Sequence, residues 1–324
     1  MAHAVVIHEF GGPEVLQVEE IDVGDPGPGQ VRLKQTAAAV HFADLLTRAG
    51  TYFLKPDLPS VIGLDGAGVV EAVGDGVDTA QPGDRVAYLF SLGAYASDRL
   101  LDADRLIKLP DGIDEKIAAA SLLRGLTAQY LVRQSYPVRA GDTVLIHAAA
   151  GGVGSLLCQW SKHLGAQVIG TVGGTGKVDV AKGYGCDHVI DYSSETFADR
   201  VLDLTGGAGV QVIYDSVGKE TYEGNIAALA PIGYFVNYGH ASGLLPPIDA
   251  MELNKKSIFF GKTSLKDYTA DKDKAAAMAR EVFGHIKDGV LRVDISREYS
   301  FEEIGQAHRD LAGRKTTGSI ILVP

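Results

Sequence analysis

The run Thr143-Val144-Leu145-Ile146-His147-Ala148-Ala149-Ala150-Gly151-Gly152-Val153-Gly154 constrains this chain more than any other. Its β-branched, apolar start predicts a buried strand, its glycines a tight turn, and the residues beyond a helix. Over that helix Val153, Leu156, Leu157, Trp160 and Leu164 recur three or four apart, which predicts one apolar face laid on a sheet, with Gly165 as the stop. A turn without Cβ atoms lets the backbone approach a pyrophosphate, and a helix N-terminus supplies free N–H groups and partial positive charge. Ala150, Gly151, Gly152 and Val153 are the expected phosphate cradle. The spacing departs from G-x-G-x-x-G, because Ala149 stands where the first glycine would be, and a glycine turn made only for packing would look similar.

The next segment narrows the cofactor. A second strand is expected over 167–172, and an NAD-binding unit carries an acid for the ribose 2′-OH about twenty residues past the glycine turn. No Asp or Glu occurs between Ala150 and Asp179. The strand runs instead into Gly173-Gly174-Thr175-Gly176-Lys177, a flexible loop with one cation. That chemistry suits a 2′-phosphate, so NADPH is the expected cofactor and Lys177 its first phosphate contact; a merely solvated lysine is the competing reading.

With 324 residues, 46% of them hydrophobic, the chain can fill two ordinary cores. No apolar run approaches the roughly 20 residues that span a bilayer, and the N-terminus has no basic-then-apolar pattern, so a cytoplasmic protein is expected. Cys158 and Cys186 are too few for a disulfide framework or a cysteine-rich zinc site, and Cys158 reads as a small packing residue. A net charge of -11 opposes binding to nucleic acid.

Short apolar runs broken by Gly and Pro predict a β-rich, barrel-like unit over the first hundred residues. Helical alanine- and leucine-rich stretches over 114–134 mark the crossing to a second domain. Strands are then expected at 143–147, 167–172, 188–191, 210–214, 234–238 and 257–261, with helices between them. That alternation gives an α/β class with a doubly wound parallel sheet. A helix over 271–288 and a strand near 318–323 should return to the first domain. The expected division is 1–124 catalytic, 125–262 cofactor-binding and 263–324 catalytic, with the active site in the cleft between the two.

Several segments point one way together: Gly11-Gly12-Pro13-Glu14-Val15-Leu16, Phe42-x-Asp44, Gly63-Leu64-Asp65-Gly66-Ala67-Gly68, His147 to Gly154, and Tyr214-Asp215-Ser216-Val217-Gly218. Over the whole chain they resemble the NADPH-dependent quinone oxidoreductases of the zeta-crystallin type, in the medium-chain dehydrogenase/reductase superfamily. The resemblance implies a GroES-like catalytic domain, a Rossmann domain and a homodimer paired through the last cofactor-sheet strand, here 257–261. It implies that Lys177, Tyr192 and Arg314 hold the 2′-phosphate beside Gly173 and Gly174. Thr127, at an expected helix start, would lie beside the nicotinamide. Phe42, Ser216, Val217, His240, Ser242, Gly243, Phe260 and Gly261 would line the cofactor's ribose and nicotinamide, with Asp215 either functional or a helix cap.

Zinc-dependent members of the superfamily hold their metal with a Cys and a Gly-His-Glu triplet. Here those positions are His41 and Gly63-Leu64-Asp65, leucine cannot ligate, and no cysteine lies between Leu89 and Leu100, so no metal is expected. His41, Asp44 and Tyr52 occupy the stretch that faces the nicotinamide in relatives. His41 stands where asparagine is common and could give a proton to a reduced quinone or only hydrogen-bond it. Leu46 stands where a second tyrosine is often found, which predicts a roomier or more apolar pocket. The activity implied is transfer of a hydride, or of electrons in sequence, from NADPH to a small-molecule quinone. Reduction of an activated C=C bond, as in enoyl and 2-alkenal reductases, is the enzymatic alternative. A non-catalytic RNA-binding or structural role would need basic, aromatic-rich clusters, which an acidic chain with 7% aromatics does not provide.

Overall fold

The computed structural model describes all 324 residues and divides them into two compact units. One comprises residues 1–123, 270–287 and 293–324; the other comprises 124–269 and 288–292. The first unit contains β1 (Ala2–Ile7), β2 (Gln17–Ile21), β3 (Gln30–Ala39), α1 (Phe42–Arg48), β4 (Ser60–Val61), β5 (Gly66–Val73), β6 (Arg85–Tyr88), β7 (Asp98–Asp102) and β8 (Ile107–Lys108). The boundary falls inside α2 (Glu115–Tyr130). The second unit holds β9 (Thr143–Ile146), α3 (Gly152–His163), β10 (Gln167–Val172), β11 (His188–Asp191), β12 (Val210–Asp215), β13 (Leu229–Asn237) and β14 (Phe259–Lys262). The chain then returns to the first unit with β15 (Ile295–Tyr299) and β16 (Ser319–Leu322).

In the first unit β3 is the organising strand. It pairs antiparallel with β5 along one edge and with β7 and then β16 along the other. The sheet runs β15-β16-β3-β5-β6-β8, beside a smaller one ordered β2-β1-β4. Val31, Leu33, Val86, Tyr88 and Ile320 fill the core between them, each with essentially no exposed surface.

The second unit is one parallel sheet ordered β11-β10-β9-β12-β13-β14. Strand order reverses between β9 and β12, the switch point at which ligands bind such sheets, and the glycine turn follows β9 there. Leu156, Leu157 and Trp160 of α3 are buried, with Val153 and Leu164 partly so, as the expected apolar face requires. Burial of each large side chain is worth about 1.5–3 kcal/mol and fixes α3 against the sheet. Cys158 and Cys186 are free, buried thiols in contact, Sγ to Sγ 3.3 Å.

Three expectations shift. The edge strand begins at Phe259, not at 257, because Ser257 has φ 53° and residues 257–258 still hydrogen-bond back to Asn254 and Leu253. β13 starts earlier than expected, at Leu229, and carries a register break opposite Val210–Val212, where Pro231 and Ile232 (φ 64°) interrupt it. Thr127 is near the C-terminal end of α2 rather than at a helix start, since the Asp114 carboxylate accepts from the Ile117 N–H and caps one long helix before it.

Candidate active site

The turn after β9 is built by close backbone approach. Gly151 N–H donates to Ala148 O at 2.8 Å, and Ala149 N–H to Thr171 O on β10 at 3.0 Å. Ala148 has φ 52°, so the chain reverses sharply before α3. A Cβ at Gly154 would lie 2.2 Å from Ala148 O and 2.8 Å from its carbonyl carbon, which only hydrogen tolerates. The first intrahelical bond is Ser155 N–H to Gly151 O, leaving the N–H groups of Gly152, Val153 and Gly154 without intrahelical acceptors. These donors at a switch point can receive a pyrophosphate.

After β10, Thr175–Lys177 forms a short 3-10 turn at the surface. Tyr192 folds over it: its hydroxyl would lie 2.6 Å from a Cβ on Gly173. The structure thus brings Gly173, Gly174, Lys177 and Tyr192 to one loop cluster in the second unit, whereas Arg314 belongs to the first. An acid that sequence reading passed over also reaches this loop. Asp191, at the end of β11, accepts at Oδ1 from Gly174 N–H (2.9 Å), Ser193 N–H (3.0 Å) and Ser193 Oγ (2.6 Å). Those bonds hold its carboxyl below the usual range. It comes from the third strand, so a search for an acid at the end of the second could not find it.

The loops after β12 and β13 are joined by backbone bonds, Ala241 N–H to Ser216 O at 3.0 Å and Ser242 N–H to Val217 O at 2.8 Å. Ser242 Oγ also donates to Val217 O. Asp215 shapes the first loop by accepting from Val217 N–H, Gly218 N–H and Thr221 Oγ, so it closes that loop rather than capping the next helix, whose N-cap is Thr221. Ser216, Val217, His240, Ser242 and Gly243 thus share one surface at the C-terminal ends of adjacent strands. His240 has a buried Nδ1 without a hydrogen-bond partner, and burial, then the nearby Lys262 cation, lowers its pKa. Phe260 packs edge-on against Phe235 beneath, while Gly261 follows on β14.

In the first unit His41 opens α1. Its Nε2 lies 2.6 Å from Asp65 Oδ1, a contact across 24 residues that no local pattern announced. Asp44 has no exposed surface, and its Oδ2 accepts from His41 N–H at 2.7 Å and from Tyr95 OH at 3.0 Å. Burial, opposed by the nearby His41 and its hydrogen bonds, raises the Asp44 pKa to about 6. Asp44 therefore holds the start of α1. Behind it Tyr95 OH is 3.5 Å from His308 Nε2, and His308 Nδ1 is 3.0 Å from Arg48 Nη1. Burial, then the Arg48 cation, lowers the His308 pKa to about 3, so that ring is neutral. Phe42 and Tyr52 are half-buried nearby in sequence, and burial, then the Asp44 charge, raises Tyr52 to about 12.

Leu64 is fully buried between Gly63 and Asp65, and Asp65 spends Oδ1 on His41. No three His, Cys, Asp or Glu side chains converge on a geometry that could hold a metal ion. The donor set at the metal position of zinc-dependent dehydrogenases therefore does not fit zinc.

A parallel sheet ordered in this way, with a glycine cradle at its switch point and a separate β-rich unit, defines a dinucleotide-dependent medium-chain dehydrogenase/reductase. The profile of the alcohol dehydrogenase GroES-like domain matches residues 27–111, and that of the zinc-binding dehydrogenases matches 152–280. A quinone oxidoreductase of Pseudomonas aeruginosa is 45% identical over all of both chains. A 2-haloacrylate reductase of a Burkholderia species is 43% identical over all of this chain and 99% of its own. The crystal structure of Escherichia coli quinone oxidoreductase complexed with NADPH superposes with a TM-score of 0.96, at 39% identity over 99% of this chain and 100% of its own. The chain belongs to the quinone oxidoreductase family of the medium-chain dehydrogenase/reductase superfamily.

Proposed function

We propose that this chain reduces a small-molecule quinone with NADPH, as a hydride or as electrons in sequence, without a metal. The observation that supports the reading is the loop after β10, where Tyr192 closes on Gly173, Asp191 is turned to the Gly174 amide and Lys177 ends the same loop. Bound NADPH would supply the reducing equivalents; the cradle after β9 would hold its pyrophosphate, and Ser216, Val217, His240, Ser242 and Gly243 would position its ribose and nicotinamide. Thr127, Phe260, Gly261 and Arg314 are assigned to the cofactor, and His41, Asp44, Tyr52 and Phe42 to the reacting end. A quinone accepts electrons readily, so positioning and exclusion of water are most of what the protein must provide.

The test is titration with NADPH and NADH, followed by turnover on a panel of quinones and 2-alkenals. Lys177→Ala should weaken NADPH about tenfold or more, the worth of one charge-assisted bond, and leave NADH unchanged. Equal losses for both cofactors would remove the phosphate role. Reduction of an activated C=C bond is the second reading. The buried His41–Asp65 contact favours it, because that reaction needs a proton at carbon as well as a hydride. Alkenal rates above quinone rates would make it the first.

The chain is read as a homodimer through β14. That strand is an open sheet edge pairing only with β13, and Phe259, Ile232, Leu244 and Met251 expose more than half of their surface in the same unit. Phe259→Lys should convert dimer to monomer in analytical ultracentrifugation; a wild-type protein already monomeric at micromolar concentration would end this assignment. No helix is long and apolar enough to cross a membrane. Free buried thiols suit a reducing, cytoplasmic setting.

A further inference from the structure

A line of hydrogen-bonded side chains crosses the C-terminal ends of five neighbouring strands. Lys262 on β14 donates from Nζ to Asn237 Oδ1 on β13 at 2.6 Å. Asn237 Nδ2 donates to Asp215 Oδ2 on β12 at 3.0 Å, and Asn225 Nδ2 donates to that same oxygen at 3.3 Å. Asn225 Oδ1 meets His147 Nε2 at 2.7 Å, and His147 Nδ1 meets Thr171 Oγ on β10 at 2.8 Å. The amide of Asn225 fixes the directions. Its nitrogen is spent on Asp215, so its oxygen must accept, and His147 carries its proton on Nε2. Burial keeps that ring neutral, and Nδ1 then accepts from the Thr171 hydroxyl. Both arms therefore donate towards Asp215.

Thr171, His147, Asn225, Asp215 and Asn237 have no exposed surface; Lys262 alone reaches solvent. Five buried polar side chains cost more than an apolar core of equal volume unless each is paired. Four of them immediately precede the loops assigned to the cofactor: Thr171 before Gly173, His147 before the glycine turn, Asp215 before Ser216, and Asn237 before the 239–243 loop.

We propose that this line is a positioning framework, which sets the 2′-phosphate loop, the pyrophosphate turn and the nicotinamide loops relative to one another as one unit. Thr171 and His147 are the positioning residues of one arm, Asn237 and Lys262 those of the other. The proposal rests on the NADPH reading above and deepens it.

Thr171→Val keeps the shape and removes one donor; Thr171→Ser keeps the donor. Lys262→Met and Lys262→Arg make the same contrast at the solvent end. Binding is read by cofactor fluorescence, turnover with a quinone at saturating NADPH, and folding by thermal melting. Thr171→Val should weaken both NADPH and NADH about fivefold or more and also lower kcat, although Thr171 lies on the phosphate side. Lys262→Met should lower kcat by a similar factor, and each conservative variant should restore both readouts to within about twofold. Wild-type binding and kcat in Thr171→Val, with only a lower Tm, would overturn the framework, as would failure of serine to rescue. Wild-type protein that binds NADPH but turns over no quinone would remove the acceptor assignment and leave the binding comparison to decide the framework. Wild-type protein that binds neither cofactor would remove both.

Discussion

Gly154→Ala is expected to abolish NADPH binding at micromolar protein and to cost about 2–4 kcal/mol of stability, at or above the upper end of ordinary overpacking. The added Cβ would meet three backbone atoms, Ala148 O at 2.2 Å, Ala148 C at 2.8 Å and Ala149 Cα at 3.0 Å, and no rotamer change relieves backbone contacts. Ala148 is already at φ 52°, so the turn has little freedom left to yield. The strain relaxes only if α3 moves off the turn, and that movement carries away the N–H groups of Gly152, Val153 and Gly154. Gly284→Ala is the contrast. Gly284 lies in the helix Lys272–Lys287 with nothing within 4 Å of its would-be Cβ, and alanine there should stabilise by up to about 1 kcal/mol. Thermal melts of the two variants should therefore move in opposite directions from wild type, while NADPH titration should change only in Gly154→Ala. Wild-type affinity in Gly154→Ala would mean the cofactor does not use this turn.

What the sequence made legible follows the range of the interactions involved. β9, the glycine turn and α3 are adjacent in the chain, and their pattern is local, so their boundaries fall within one or two residues of expectation. The parallel, doubly wound class of the cofactor sheet was legible because alternating strands and helices leave few parallel topologies. β14 was displaced because the left-handed turn at Ser257 is carried by a residue with no glycine signal. Thr127 was misplaced because the helix is capped by Asp114, well before it, and runs unbroken through Gly125 to Tyr130. Contacts between distant segments stayed hidden. Asp65 stood in the sequence only as the last residue of the altered Gly63-Leu64-Asp65 triplet, and only the fold reveals it against His41. The line from Lys262 to Thr171 gathers residues from 147 to 262 and alternates donors and acceptors in a way no spacing encodes. One signal could have found part of it: a histidine, an aspartate and an asparagine, at 147, 215 and 237, each closing an otherwise apolar strand at the end where ligands bind.

Asp44→Asn is expected to make the protein more stable at pH 7, by about 1–3 kcal/mol. The carboxyl of Asp44 is raised to about 6 in the folded chain, against an ordinary value of 3.8, mainly because burial penalises its charge. A group with a raised folded pKa binds protons more tightly when folded. Its contribution is complete below about pH 4, declines as pH rises from 4 to 6, and stays lost above that. A shift of about two units corresponds to roughly 3 kcal/mol, an upper bound for removing the charge. Asparagine can keep what the carboxylate does, because the His41 N–H and Tyr95 OH both donate to the same oxygen, Oδ2, while Oδ1 has no partner. His308 complicates the wild-type curve. Its pKa is lowered to about 3, so its contribution runs the other way, falling as pH drops from 6.5 towards 3. The two slopes partly cancel in wild-type protein, and the difference between variant and wild type isolates Asp44. That difference, from denaturant unfolding at a series of pH values, should be near zero at pH 4, grow up to about pH 6 and level off above it. A constant difference across the range would mean that Asp44 keeps an ordinary pKa in the folded protein. A loss of stability at pH 7 would mean that its charge is needed beside His41, which would make the carboxylate a working partner of that ring.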